Sequence, residues 1–347
     1  MIPHNKPTIG RAEQEAATRV LASGWLAQGA EVEAFEREIC AYLGLREGCA
    51  VALSSGTAAL FAALLALQAR GKRVAIPAYS CAALRNAVIM AGGEPAAIDI
   101  AHQSPNVDLE LAVKCNAEII IVAHMFGIPL RWHRGAISVP VIEDCAQAFG
   151  ARIDGRAVGL SGTVGVFSFY ATKMLTSGGQ GGMVVSSDRS LADAVRDYRQ
   201  FDCRHDRAPR FNLQMTDLQA AVGRAQLSQI DEFLRKRKET YARYAAEGIH
   251  LWPLPSDTGL EPCYYRAVIR APDPAKAIAR FEENAIGAIV PIADWELLED
   301  PERVPRAAAL ARSTLSIPIH PSLTERQTVT IIATASTLNQ PAEPESP

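Results

Sequence analysis

The chain lacks most of the short signatures by which a sequence declares its chemistry. Its seven cysteines (Cys40, Cys49, Cys81, Cys115, Cys145, Cys203 and Cys263) include no C-x-x-C pair. Neither a zinc knuckle nor a dithiol redox motif is therefore supported, and the odd, irregular spacing fits reduced thiols. No G-K-[ST] closes a glycine-rich loop and no G-x-G-x-x-G follows the first strand-like segment, which sets aside a Walker A loop and a dinucleotide-binding dehydrogenase. The longest apolar run, Ala58 to Leu67, is about half of what a bilayer crossing requires. The opening Met-Ile-Pro-His-Asn-Lys-Pro has none of the charged and apolar regions of a leader. A cytoplasmic protein with no membrane contact is expected. A net charge of -3 with scattered Lys and Arg leaves no basic footprint for nucleic acid. The one dense basic stretch, Arg235 to Lys238, is flanked by Glu232 and Glu239 in a helical pattern and reads as a solvated face.

What is present is a chain of 347 residues, 48% hydrophobic and 21% charged, large enough for two cores. Between residues 50 and 200 short apolar runs alternate with helical patterns. Strands are expected at Cys49 to Leu53, Arg73 to Pro77, Glu94 to Ile100, Glu118 to Ala123, Val139 to Ile142, Val164 to Phe169 and Gly182 to Ser186. Helices are expected from about Ala58 and over Cys81 to Ala91. Continuous β-branched runs separated by helices indicate an α/β fold with a mainly parallel sheet covered on both faces. From Asp217 to Tyr244 the apolar spacing predicts one or two long helices. A smaller α+β unit follows, with strands at Tyr264 to Arg270 and near Gly287 to Val290, a helix at Pro274 to Asn284 and a last helix after Thr324. The boundaries expected are 1–235 for an N-terminal arm and large domain, 236–339 for the small domain, and 340–347 for a proline-rich disordered tail.

Three constellations carry chemistry. Val-Ile-Glu-Asp144 puts an acid at the C-terminal end of an apolar strand, where open α/β sheets bind ligands. Lys173 follows 29 residues later in Ser168-Phe-Tyr-Ala-Thr-Lys173. A lysine and a buried carboxylate so placed suit pyridoxal 5'-phosphate (PLP): the amine holds the aldehyde as a Schiff base, and the carboxylate keeps the pyridine nitrogen protonated so that the ring accepts electrons. Ser54-Ser55-Gly56-Thr57 lies between a strand and a helix, whose N-terminus suits a phosphate, although such a cap by itself is only a cap. Ser168 stands five residues before the lysine, able to reach the phosphate at the opposite end of the ring. Gln147 could meet the phenolic oxygen or cap its own turn. Glu143 should point away from Asp144 and is assigned no role. The run Gly178-Gly179-Gln180-Gly181-Gly182 calls for positive φ or close backbone approach. His124 reads as a packed strand-end histidine. His320 near the C-terminal turn could touch substrate, and Trp25 could wall the pocket or merely pack.

Together these motifs resemble the DegT/DnrJ/EryC1/StrS family of PLP-dependent sugar aminotransferases, within the aspartate aminotransferase fold type (PLP fold type I). The resemblance also rests on Pro3-x-x-x-Pro7-Thr-Ile-Gly, Ser23-Gly-Trp-Leu-Ala-Gln-Gly29, Asn212-Leu-Gln-Met-x-Asp217 and Leu315-Ser-Ile-Pro-Ile-His-Pro321, in the family's order over nearly the whole chain. It implies Lys173 and Asp144 as the catalytic pair. Around the cofactor it places Gly56, Thr57, Cys81, Gln147, Ser168 and Asn212, the last lent across a homodimer with a shared active site. It further implies an amino-acid donor, L-glutamate or L-glutamine, and a nucleotide-activated keto-sugar acceptor, for surface polysaccharide or a secondary metabolite. Two positions depart from the pattern: Cys81 stands where an aromatic often stacks on the cofactor, with Tyr79 a possible substitute that strand geometry would aim elsewhere, and Gln214 where arginine is usual. The alternatives are an aminotransferase or dehydratase for another cyclic ketone, or a non-catalytic regulator that keeps the fold. Lys173 opposes the branch of dehydratases that carry histidine at that position.

Overall fold

Short apolar runs become strands because they can be buried on both sides. In the computed structural model, which describes residues 1–339, β1 (Ala50–Leu53), β4 (Ile119–Ala123) and β5 (Val141–Asp144) are buried at every residue. The expected tail, 340–347, lies outside the described residues. With β2 (Arg73–Pro77) and β3 (Glu94–Ile98), and with β8 (Val164–Ser168) and β9 (Gly182–Val185) after a small hairpin of β6 (Arg152–Ile153) and β7 (Arg156–Ala157), they form a seven-stranded sheet in the order β1-β9-β8-β5-β4-β2-β3. The strands from β3 to β8 pair in parallel, and β9 runs antiparallel to both neighbours. β9 runs back along β8 because the segment 169–181 between them folds as a loop and forms no crossover helix.

Alternation along each strand feeds two cores. Ala50 and Ala52 of β1 pack with Phe35, Phe167 and Phe233 on one face, and Val51 and Leu53 with the helix Gly56–Ala66 on the other. That helix is apolar all round, and Ala58 to Leu64 are all buried, as suits a central helix. The N-terminal arm contributes the helices Arg11–Ser23 and Ala30–Leu43. Asp217 pins the second of them, accepting the N–H groups of Gly29, Glu31 and Val32.

Of the one or two helices expected there the structure has two, Asp217–Leu227 and Ile230–Ala246, the first opened by a Thr216/Gln219 capping box. Beyond them β10 (Leu260–Glu261) extends the β6–β7 hairpin, and β11 (Ala267–Arg270) pairs antiparallel with β12 (Thr314–Ile317). Tyr244, Phe281, Ile317 and Ile331 form a separate core there with the helices Pro274–Glu283 and Glu325–Ser336. The strand expected near Gly287 to Val290 is corrected: among the described residues the segment makes a single bridge, Ile289 to Ser316 on the edge of β12 away from β11, and no continuous ladder. The strand β5 also runs two residues later than the sequence pattern suggested, which brings Asp144 into the strand itself. Among the described residues no helix is long and apolar enough to cross a membrane.

Candidate active site

The C-terminal ends of β5 and β8 lie side by side, with Asp144 paired in register to Val166. Beyond β8 the chain folds back on itself. Ala171 N–H donates to Gly179 O, Ser177 N–H to Phe169 O, and Lys173 N–H to Tyr170 O at 3.0 Å. Gly178 (φ 72°) and Gly179 (φ 136°) make that return possible, as the glycine run implied. The result is a cavity of about 720 Å³ into which Gly56, Thr57, Cys81, Asp144, Gln147, Ser168 and Lys173 all face. Asn212 is exposed and is not part of the wall of its own chain's cavity.

Each position has a local reason. The helix Gly56–Ala66 leaves its first N–H groups without intrahelical partners, while Ser55 caps by accepting Ala58 N–H at 3.1 Å. A Cβ on Gly56 would meet Ser168 Cβ at 2.8 Å, so glycine there lets the Ser168 side chain close on the helix N-terminus. Gln147 Oε1 accepts Phe126 N–H at 2.9 Å, which orients its amide so that the NH₂ group remains to donate. Asp144 accepts one N–H, from Ala146 at 2.9 Å. Burial pushes its carboxyl above the usual carboxylate range, partly offset by that N–H and by Lys173 and His124. A buried acid with spare acceptor capacity, a helix N-terminus with a hydroxyl beside it and an amide donor between them fit the ring nitrogen, phosphate and phenolic oxygen of PLP.

Among the residues of this cavity that sequence reasoning missed are Tyr265, Arg266, Arg85 and Trp295. Lys173 Nζ and Arg266 Cζ both lie 5.4 Å from the centroid of the Tyr265 ring. Burial alone would raise the Tyr265 phenol, but Lys173, Arg266, Arg237 and a hydrogen bond with Thr172 bring it below its ordinary value. The only local signal was the tandem Tyr264-Tyr265-Arg266 at the start of a predicted strand, and nothing in it pointed at a lysine ninety residues earlier.

Other candidates fall outside. Trp25 is 63% exposed on a separate groove beside Gly29 and Asp217. His320 is buried behind Tyr265, its Nε2 facing Pro3 O at 3.3 Å, and burial with nearby Arg237 pushes its imidazole down to about 4. Tyr79 is fully buried edge-on to Phe126, so it cannot replace an aromatic at Cys81. His124, Glu143 and Cys145 lie close enough together to suggest a metal. However, His124 Nδ1 accepts Leu130 N–H, and its Nε2 donates to Glu143. Glu143 also accepts Gly159, Ser161 and Gly162 N–H. No lone pair is left on the imidazole, so the group is a packed hydrogen-bond network, as expected for His124.

Comparison with known proteins converges on one group. The model of the DegT/DnrJ/EryC1/StrS aminotransferase family matches residues 7–336. The chain is 31% identical over 348 residues to the dTDP-3-amino-3,4,6-trideoxy-alpha-D-glucose transaminase of Streptomyces venezuelae, covering 93% of this chain and 91% of the relative. It is 29% identical over 374 residues to the spore coat polysaccharide biosynthesis protein SpsC of Bacillus subtilis (strain 168), covering 93% of each. The solved structure of the aminotransferase TlmJ from Streptoalloteichus hindustanus superposes with a TM-score of 0.89 at 28% identity, over 97% of this chain and 98% of that one.

Proposed function

The chain belongs to the DegT/DnrJ/EryC1/StrS aminotransferase family, and from that premise we propose that it moves an amino group from L-glutamate or L-glutamine to the keto carbon of a nucleotide-activated sugar. The observation that carries this reading is the meeting of Lys173 and Asp144 in one cavity with Ser168 and the helix N-terminus at Gly56. The relatives' names, a dTDP-aminosugar transaminase and a polysaccharide biosynthesis protein, support the sugar nucleotide and the biosynthetic setting.

PLP, the cofactor of this family, supplies when bound an electron sink for the carbon next to the transferred nitrogen. The chain's residues do the rest. Asp144 holds the ring nitrogen's proton in place, where the carboxylate gains the positive partner its burial lacks. The N–H groups of Gly56 and Thr57 and the Ser168 hydroxyl receive the phosphate. Gln147 donates from the amide nitrogen that its bond to Phe126 leaves free. Lys173 anchors the cofactor between turnovers. Once the donor has released it, Nζ takes the proton from the donor's Cα and later returns one to the carbon that bore the keto oxygen. Cys81, in the cavity wall, would pack against the ring and has no aromatic face to stack on it.

Asn212, exposed and outside its own cavity, is proposed to enter a partner's cavity in a homodimer. Mixing Lys173→Ala with Asn212→Ala protomers should then restore activity that neither has alone, whereas an inactive mixture would refute the shared site. For the function as a whole, borohydride reduction of the PLP-loaded protein should fix the cofactor's mass on the peptide holding Lys173. L-glutamate should shift the visible absorbance before reduction, and a nucleotide keto-sugar should restore it. Failure of the lysine adduct would overturn the transaminase reading. A normal donor step with no response to any keto-sugar would overturn only the acceptor.

A further inference from the structure

A second, far smaller cavity lies behind Lys173. Lys6, Thr8, Lys173, Thr176, Gln226 and Arg237 contribute to its wall, and its free space, about 10 Å³, admits one water-sized particle. Lys173 is shared between this cavity and the large one. The N-terminal segment closes it from outside: Asn5 Nδ2 donates to Thr172 O at 2.8 Å, and Gln226 Nε2 donates to Thr8 O at 2.7 Å.

The charge around it has one sign. Lys6, Lys173 and Arg237 line the cavity, and among the described residues no Asp or Glu does. Arg237 is 3% exposed. Its Nη1 donates to the carbonyls of Tyr264 and Tyr265, at 3.4 and 3.2 Å, and among the described residues it has no carboxylate partner. Its Nε and the hydroxyl of Thr176, itself 2% exposed, are both without a hydrogen-bond partner. On its other side Arg237 adjoins Arg266, His4 and His320, again with no acid in the wall. Burial pushes the guanidinium down to about 10, which still leaves it charged at neutral pH. A buried cation facing further cations and carbonyl oxygens alone is costly, and the donors around this void are those that would hold an anion.

We propose that the cavity between Arg237, Thr176 and Lys173 is a binding site for one small monovalent anion, chloride in a cell, which is the missing counter-ion of Arg237. The Thr176 hydroxyl and the Arg237 guanidinium hold it, and the N-terminal segment traps it. It does not depend on the substrate reading above, since the ion answers a charge that the fold itself buries.

The test uses the PLP-loaded protein. Sodium gluconate is replaced by sodium chloride at constant ionic strength while the thermal midpoint is followed, and a crystal soaked in sodium bromide is measured at the bromine edge. An ion bound only to the folded state raises the midpoint as its concentration rises past its dissociation constant. The expected result is a midpoint that climbs with chloride and one anomalous peak between Arg237 and Thr176. Thr176→Val, which keeps the shape and removes the hydroxyl, should weaken the halide about tenfold. Arg237→Met should abolish the dependence; if that variant does not fold, Thr176→Val and the bromide map still decide. Equal midpoints with no peak mean that water alone fills the cavity. A peak without a midpoint response means an adventitious ion only. A chloride response unchanged in Thr176→Val places the ion elsewhere. Each of these three overturns the proposal.

Discussion

Glu143 and Asp144 are neighbours on β5, both buried, and the pleat sends them to opposite faces of the sheet. On its face Glu143 accepts Ser161 and Gly162 N–H at 2.6 Å each, Gly159 N–H at 2.8 Å and His124 Nε2 at 3.1 Å. On the other, Asp144 accepts one N–H and opens onto a cavity of about 720 Å³. The electrostatics diverge accordingly. Burial would raise both, but the hydrogen bonds from His124, Gly162 and Gly159 bring Glu143 below its ordinary value, whereas Asp144 stays above. A carboxylate whose lone pairs are all taken belongs to the scaffold. One left unsatisfied at a cavity is held ready for a ligand.

That contrast can be broken at either residue. Asp144→Asn should lower kcat by about 10³-fold, near the middle of the range for a lost acid–base or charge partner, with little loss of thermal stability in the cofactor-free protein. Steady-state kinetics beside calorimetry checks both halves, and an Asp144→Asn enzyme at full rate would remove this residue from the chemistry. Glu143→Gln should do the opposite. Its new amide nitrogen would face N–H donors of the Ser161–Gly162 turn, costing about 3 kcal/mol of stability while the folded fraction keeps nearly normal kcat. Denaturant titration reads the first and activity per folded site the second.

The pH dependence of stability should separate the two further. Glu143 titrates lower folded than unfolded, so the unfolded chain binds more protons in that window. Its stabilisation is present above the unfolded value and is lost as pH falls through the folded one. Asp144 titrates higher when folded, so its effect has the reverse sign: stability is greatest below the unfolded value and is lost as pH rises through the folded one. Unfolding curves of cofactor-free wild type, Glu143→Gln and Asp144→Asn across the acid range should show each variant deleting one limb. The smallest effect is expected away from β5. Ser168→Ala should weaken PLP binding by about tenfold, the worth of one charge-assisted hydrogen bond, without altering the stability of the cofactor-free protein. A fluorescence titration with PLP measures this, and an unchanged affinity would take the hydroxyl out of the phosphate cradle.

Much of this arrangement could be read from the residues. The apolar runs around Val51, Ile121, Ile142 and Val166 located the central strands, since a strand covered on both faces leaves a continuous apolar stretch. Strand parity already separated Glu143 from Asp144. The errors came where pattern and pairing part company. Gly287 to Val290 is apolar enough for a strand but finds no continuous partner, and β12 lay unmarked inside a motif read for its proline and histidine. The N-terminal helices passed unmentioned within a segment read only as an arm.

Local chemistry thus determined, from the sequence alone, the alternation of strands and helices, the carboxylate and lysine at two strand ends, and the family pattern that joins them. Apolar periodicity and turn residues act over a few positions, so they survive in one dimension. Only the tertiary structure decided that the Tyr265 ring meets both Lys173 and Arg266, that Asn212 stands outside its own cavity, that Trp25 faces a separate groove, and that among the described residues Arg237 is buried without an acid. Each of those depends on packing between segments tens to hundreds of residues apart. There the energy lies in burial and in the pairing of charges, and neither leaves a mark on neighbouring residues.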